Sequence, residues 1–339
     1  MGPKRYPGKI VLFGSGEIAA SGRAIHERLL NDLAPPLPIT ILESPAGFQP
    51  NSSLVAEEIK AFFEARLPNH RPQVSVVPVR RREQAEDTAL LEPLRGSRYI
   101  FMGPGSPTYA VRVLKDTLAW RRVCEMHEAG AYLCLASAGT LAVSAKVLPV
   151  YEIYKAGSDL HWSEGLDLFG RYGLELAFLP HWDNHEGGAK LDTSRCFMGE
   201  DRFQALKALL PKATRILGID EHTALIFDFE RQRCVVFGKG SVSLYSGEGE
   251  SRYASSEEFA FNELGPYFLP EPSPELGPSS DGQPAILPPE VEFLIAQREE
   301  ARGKGEWARA DALRAQAGAL GFELMDTKDG VRWRQVRPA

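Results

Sequence analysis

Short apolar runs alternate along this chain with longer stretches in which apolar residues recur every third or fourth position. The runs Lys9–Phe13, Pro38–Glu43, Val74–Val79, Tyr99–Met102, Ala131–Ala136 and Leu174–Leu179 read as buried strands. The periodic stretches Arg23–Asp32, Ser53–Arg66, Pro107–Glu128 and Ala138–Lys146 read as helices between them. Strand–helix alternation of this kind predicts an α/β domain, a mostly parallel sheet with helices on both faces. Four more closely spaced runs, Arg215–Ile219, Thr223–Asp228, Arg233–Phe237 and Val242–Tyr245, predict antiparallel hairpins that finish the same domain, residues 1–265. The pattern then lapses. Residues 266–289 are rich in Pro, Ser and Gly and read as a linker. Residues 290–339 hold two helical patterns, Val291–Arg302 and Trp307–Leu320, split by Gly303–Gly305, and a β-like tail with an Asp-Gly turn. That is a small, mainly helical module.

Composition narrows the class. With 339 residues, 43% of them hydrophobic, the chain can build one large core and an appendage. A net charge of −6 argues against general binding of polyanions and leaves a local basic patch open. Cys124, Cys134, Cys196 and Cys234 are far apart, which excludes a C-x-x-C zinc site and a disulfide framework. No run approaches the roughly 18 apolar residues of a membrane span, and the N-terminus enters a strand at once. A cytoplasmic, reduced protein away from membranes is expected.

Three predicted strand ends carry candidate chemistry, and strand ends are where α/β sheets bind ligands. In LCLASAGTLAV (Leu133–Val143) an apolar run stops at Ser-Ala-Gly before a helix. Ser137 is then either a nucleophile on a sharp turn, beside the N–H groups of a helix start, or a small residue in a packing corner. In GPGSPTYA (Gly103–Ala110), Gly103 and Gly105 let the backbone approach a ligand, and Pro107 suits a first helical turn. The loop is an anion-binding helix start or a plain turn; it lacks the G-x-G-x-x-G spacing of a dinucleotide site. In FLPHWDNHEGG (Phe178–Gly188), His181 follows the apolar run directly and is a general base or a structural histidine. His185, Asp183 and Glu186 raise a metal site as an alternative. The composition is that of a loop, however, whereas His-x-x-x-His chelates from a helix.

Taken in order, and with GSGE (Gly14–Glu17) and GIDEHTALIFD (Gly218–Asp228), these segments resemble the peptidase S51 family, which includes cyanophycinase and dipeptidase E. The likeness runs over residues 8–245 and implies a class I glutamine amidotransferase-like (flavodoxin-like) fold. LASAG matches the family's Gly-x-Ser-Ala-Gly elbow, GPGS its Gly-rich loop, and His181 its histidine after a later strand. The resemblance implies Ser137 as nucleophile, His181 as base, and the backbone N–H groups of Gly105 and Ala138 as the oxyanion hole. It also implies a carboxylate about fifteen positions after the serine to orient the imidazole. Glu152 stands there, with Asp159 as a rival. Leu135 occupies an elbow position where the family has glycine, Pro104 offers no N–H, and Ser106 replaces an asparagine. The polar, aromatic loop after His181 points to its own substrate recognition. Candidate substrate contacts are Gly103, Ser106, Asp183, Asn184 and Arg195, the last either gripping a carboxylate or closing a structural ion pair. A true glutamine amidotransferase would need cysteine at the elbow, and Cys134 lies three positions early, within the strand.

Residues Val291–Arg334 resemble the C-terminal tail of bacterial cysteinyl-tRNA synthetases, through their Trp-Ala-Arg-Ala-Asp helix start and Asp-Thr-x-x-Gly-x-x-Trp close. That tail belongs to the anticodon-binding region, so the likeness implies tRNA contact through residues 290–334. The synthetase signature motifs are missing, and aminoacylation is not expected. Arg298, Arg302, Lys304, Arg309, Arg314, Arg332 and Arg334 are candidate phosphate contacts, diluted by interleaved acids. Trp307 and Trp333 either stack on bases or fill the small core. The expected function is a serine hydrolase acting on an amide or ester bond of a small peptide or amide, with no metal or organic cofactor. The alternative is a non-catalytic amidotransferase-like protein associated with tRNA or translation. A second copy of the chain is a further candidate partner.

Overall fold

The computed structural model describes residues 6–247, 249–269, 289–327 and 330–335. The chain begins β1 (Ile10–Phe13), α1 (Ala20–Leu30), β2 (Leu37–Leu42), α2 (Ser52–Arg66), β3 (Pro72–Val77) and β4 (Tyr99–Met102). It continues α3 (Pro107–Leu114), α4 (Leu118–Glu128), β5 (Tyr132–Ala136), α5 (Ala138–Ala142), β6 (Lys146–Val147), α6 (Val150–Tyr154) and β7 (Ser163–Glu164). Then come β8 (Leu176–Leu179), α7 (Gly199–Ala208), β9 (Arg215–Ile219), β10 (Thr223–Asp228), β11 (Arg233–Gly238), β12 (Ser241–Ser246), β13 (Gly249–Ala254) and β14 (Glu258–Ala260).

The central sheet has eight strands in the order β14-β11-β10-β1-β5-β4-β2-β3. Strands β1, β5, β4, β2 and β3 run parallel, and β10, β11 and β14 add an antiparallel flank. Successive side chains of each strand point to opposite faces, so both faces need a cover. Ile10, Leu12, Ile100, Met102, Leu133 and Leu135 share one face with apolar residues of α3, α4 and α5. Val11, Phe13, Tyr99, Phe101, Cys134 and Ala136 share the other with Ile25 and Leu29 of α1 and Phe62 and Phe63 of α2. The result is the mixed α/β architecture that the alternating pattern implied.

Three differences in detail have local causes. Pro107–Glu128 is two helices: Asp116 takes a left-handed φ of 60°, and the Thr117 hydroxyl accepts from the Trp120 N–H to start the second. The Ala138 helix stops at Ala142, and Lys146–Val147 pairs with Ser163–Glu164 instead. Leu176–Leu179 does not join the central sheet. It pairs in parallel with Arg215–Ile219 in a separate four-stranded sheet, β13-β12-β9-β8. Arg215–Ile219 therefore belongs to a crossover and not to a hairpin.

Residues 279–339 form a second compact unit. It holds α8 (Pro289–Gly303), α9 (Trp307–Ala319) and a hairpin, β15 (Phe322–Thr327) with β16 (Gly330–Gln335). Its core is small, with Val291, Ala317, Phe322 and Leu324 together and Ala301, Ala310 and Leu313 beside one another. Trp307 is 63% exposed, so it is not core, and Arg298 is buried. Most of the linker stretch and Asp329 of the hairpin turn lie outside the described residues. Among the described residues no helix is long and apolar enough to cross a membrane.

Close approach of α5 to β4 sets one packing limit. A Cβ on Gly139 would lie 2.3 Å from the Met102 carbonyl oxygen. Gly139→Ala must push backbone against backbone, and we expect it to cost roughly 1–3 kcal/mol, read as a lowered urea midpoint. An unchanged midpoint would mean that α5 is free to move.

Candidate active site

Ser137 follows the last residue of β5 and precedes α5, with φ 50° and ψ −107°. A non-glycine residue is rarely held there, and about 1–3 kcal/mol of strain is typical of such positions. The neighbours enforce it. The Thr140 hydroxyl lies 2.9 Å from the carbonyl oxygens of both Phe13 and Leu135, and the Gly139 N–H donates to the Gly103 carbonyl at 3.2 Å. Leu135, the departure from the family elbow, is 1% exposed and packs among the apolar residues on one face of the central sheet. Its side chain is absorbed in that apolar layer, so the elbow accepts it. Cys134 points to the opposite face, fully buried, and burial pushes its thiol well above the usual range.

The Ser137 Oγ lies 2.9 Å from His181 Nε2. His181 follows β8 with a left-handed φ of 52°, and its N–H donates to the Gly14 carbonyl at 3.2 Å. On the other side of the imidazole, Nδ1 is 2.9 Å from Glu221 Oε1. A carboxylate at Nδ1 fixes the proton there and leaves the Nε2 lone pair for the serine hydroxyl. Glu221 lies two residues past the end of β9. The Asn184 side-chain amide donates to the same Oε1 at 3.1 Å, and the Glu221 N–H donates to Asp183 Oδ1 at 2.7 Å. The hydrogen bond from His181 holds the Glu221 carboxyl below its ordinary pKa, opposed by partial burial and aided by Asn184. A second acid, Glu17, is buried near the two histidines His181 and His222. Burial raises its pKa, and the histidines pull the other way.

Glu152 is not the partner of His181. Helix α6 turns its side chain toward α3, where the Thr108 hydroxyl donates to Glu152 Oε1 at 2.5 Å. Asp159 is exposed. Counting along the chain from the serine missed Glu221 because the carboxylate arrives from a neighbouring strand. The signal was the Asp220-Glu221 pair at the end of a predicted strand, inside GIDEHTALIFD.

A cavity of about 260 Å³ opens over Ser137 and His181. Gly105 and Ala138 line it, with Leu141, Val150, Tyr154 and Phe197 as apolar walls and Lys155 and Glu186 also present. Ala138 is the first residue of α5, so its N–H has no preceding turn to bond. Arg195, Cys196 and Phe197 have φ of 56°, 60° and 68°, a left-handed turn that sets Cys196 and Phe197 into the cavity wall. Their N–H groups donate to the carbonyls of Trp182 (2.8 Å), His181 (3.1 Å) and Thr193 (3.0 Å). The other expected substrate contacts are otherwise engaged. Arg195 pairs with Glu200 at 2.9 Å and lies 4.2 Å over the Trp182 ring, a structural role. Asp183 and Asn184 hold Glu221. Gly103 braces α5 through its carbonyl. Ser106 caps α3 by accepting from the Tyr109 N–H at 3.2 Å. His185 is exposed on its loop.

Among solved structures, the chain resembles a peptidase from an acI-B1 Actinobacterium with a TM-score of 0.61 and 22% identity, over 75% of this chain and 97% of that one. The likeness is one of fold: this chain has the fold of that protein. Residues 286–334 match the family model of the cysteinyl-tRNA ligase anticodon binding domain. The cysteine–tRNA ligase of Streptococcus equi subsp. zooepidemicus is 57% identical over 47 residues, 14% of this chain and 10% of that protein. That of Bacteroides fragilis is 45% identical over 60 residues, 18% of this chain and 12% of that protein. The chain thus spans only about a tenth of the length of these curated relatives.

The cradle around Glu221 can be tested without a substrate. Removing a donor from a carboxylate raises its pKa. Asn184→Ala should move the Glu221 carboxyl titration upward by carbon-detected NMR, and His181→Ala should move it further. A titration that stays in place in both variants would mean that neither contact exists in solution.

Proposed function

We propose that this chain is a serine hydrolase of the peptidase S51 type, acting on an amide or ester bond through Ser137, His181 and Glu221. The observation that carries the reading is the run of two 2.9 Å hydrogen bonds, Ser137 Oγ to His181 Nε2 and His181 Nδ1 to Glu221 Oε1, under an open cavity. His181 takes the serine proton as Oγ attacks the carbonyl carbon. The oxyanion that forms accepts hydrogen bonds from the N–H groups of Gly105 and Ala138, a stabilisation worth about 10²–10³-fold per donor in such sites. Pro104 costs nothing here, because the donor needed is Gly105. Collapse of the tetrahedral species breaks the scissile bond, and the imidazolium returns its proton to the leaving amine or alcohol. Water then attacks the acyl-enzyme with His181 again as base. Glu221 stays ionised throughout and stabilises the imidazolium. No step draws on a metal or organic cofactor.

The reading is tested by labelling with a fluorophosphonate probe. The wild-type chain should react at Ser137, and Ser137→Ala should not react at all. Glu221→Gln should slow labelling by about 10²–10⁴-fold, since the wrong tautomer is then favoured. Glu152→Gln should leave it in place. A folded wild-type chain that is inert to a panel of such probes would favour the non-catalytic alternative.

The match of residues 286–334 supports a second, compatible role in tRNA contact. Lys304, Arg309 and Arg314 are exposed, and Trp307 offers a face for stacking. Arg309 pairs with Glu306 at 3.0 Å, and Arg298 is buried. We expect a gel shift with tRNA whose affinity falls steeply with salt, and Trp307→Ala should weaken it about tenfold. No shift at low salt would remove this role.

A further inference from the structure

We propose that a second, larger cavity beside the Ser137 pocket holds the leaving-group side of a peptide, and that Arg112 there reads the peptide's free terminal carboxylate. This rests on the hydrolase reading above. The cavity measures about 520 Å³, against about 260 Å³ over the nucleophile. A space of the smaller size holds little beyond one residue, whereas sites for small ligands commonly span about 300–1,000 Å³. The two cavities share borders. Tyr151 lines both. The loop from β4 into α3 separates them, with Gly105 and Pro107 facing the smaller and Ser106 and Thr108 the larger. A chain whose scissile carbonyl rests on Gly105 and Ser137 therefore enters the larger cavity by crossing this loop.

The lining has a definite chemistry. Phe48 and Tyr151 are 48% and 42% exposed, large apolar surfaces left open at a concave site. Phe48 and Tyr109 sit 5.2 Å apart as tilted rings, and the Arg112 guanidinium lies 4.6 Å over the Tyr109 ring. Among the described residues no carboxylate pairs with Arg112 within 4.0 Å. Glu152 lines the same cavity, but Thr108 occupies its Oε1 and its Oε2 is buried. The exposed charge in the lining is the Arg112 guanidinium. A guanidinium carries a planar N–H fork that can bind a carboxylate bidentately. In a peptide that arrives with its acyl side over Ser137, the carboxylate lies one or two residues beyond the new amine. The aromatic walls then take the side chain of that last residue. The ligand class is a short peptide with a free C-terminus and an aromatic or apolar final residue.

The test uses the full chain with Ser137→Ala, so that peptides bind without turnover. A set of Xaa-Phe dipeptides, each as free acid and as C-terminal amide, is measured by calorimetry. We expect the acids that bind to do so about tenfold more tightly than their amides. Arg112→Gln should erase that gap by weakening the acids alone, Arg112→Lys should restore part of it, and Phe48→Ala should weaken both forms. Equal affinity for acid and amide, a gap that survives Arg112→Gln, or no binding by any peptide overturns the proposal. Fluorophosphonate labelling of the wild-type chain, run alongside, separates the failures. Labelling without acid preference removes only the carboxylate subsite, and absence of labelling removes the hydrolase reading beneath it.

Discussion

Two strands that run side by side in fixed register decide where the candidate site lies. β8 and β9 are parallel, with Leu179 opposite Gly218, so both chains leave the sheet at the same rim and nearly level. The pairing continues one step past the strand, where the Trp182 N–H donates to the Ile219 carbonyl at 3.1 Å. Gly218 is needed because the Trp182 indole lies against it; a Cβ there would come within 2.2 Å of the ring. A slip of one residue would exchange the faces to which Leu176–Leu179, all four buried, point. The register that keeps the core closed is therefore the register that brings Glu221 to His181. The central sheet meets the same rim through a backbone bond. Phe13 is opposite Ala136, so Gly14 is level with Ser137, and the Gly14 carbonyl receives the His181 N–H.

Backbone strain collects around this rim. Ser137, His181, Arg195, Cys196, Phe197 and His222 all have positive φ, and none is glycine. Each such residue costs about 1–3 kcal/mol and persists only where its surroundings leave no alternative. Here those surroundings are visible. Buried Thr140 and Thr193, the Trp182 and Gly14 carbonyls and the ring of Phe197, 5.5 Å from that of His181, fix the strained residues from several sides. Strain that clusters at one rim while the strands beneath it stay regular marks the place where geometry was not free to relax.

Much of this was legible along the chain. The strands that end at Phe13, Met102 and Ala136 stop within the sequence at small or glycine-rich turns, and Ser137 and His181 lie where those signals place them. The carboxylate was not legible by offset. Glu152 and Glu221 are both acids near predicted strand or helix ends, and only the pairing of β8 with β9 distinguishes them. Local signals cannot show a contact between residues 40 apart on neighbouring strands. Asp183, Asn184 and Arg195 were legible as a dense polar loop, yet their directions depended on which groups the fold brought beneath them. The small C-terminal unit misled in the opposite sense. Its few apolar residues suggested that Trp307 would be needed inside, but alanines on α8 and α9 pack closely enough to close the core without it.

The electrostatics of the rim follow from two glutamates that the fold treats differently. Glu221 meets N–H donors from His181 and Asn184 and keeps some access to water, so its charged form is favoured. Glu17 is taken out of water, and a backbone hydrogen bond and the nearby histidines offset this only in part, so its neutral form gains. Environments that push two nearby carboxyls apart assign them different duties. The carboxylate that faces the imidazole is therefore the one on the Nδ1 side, Glu221.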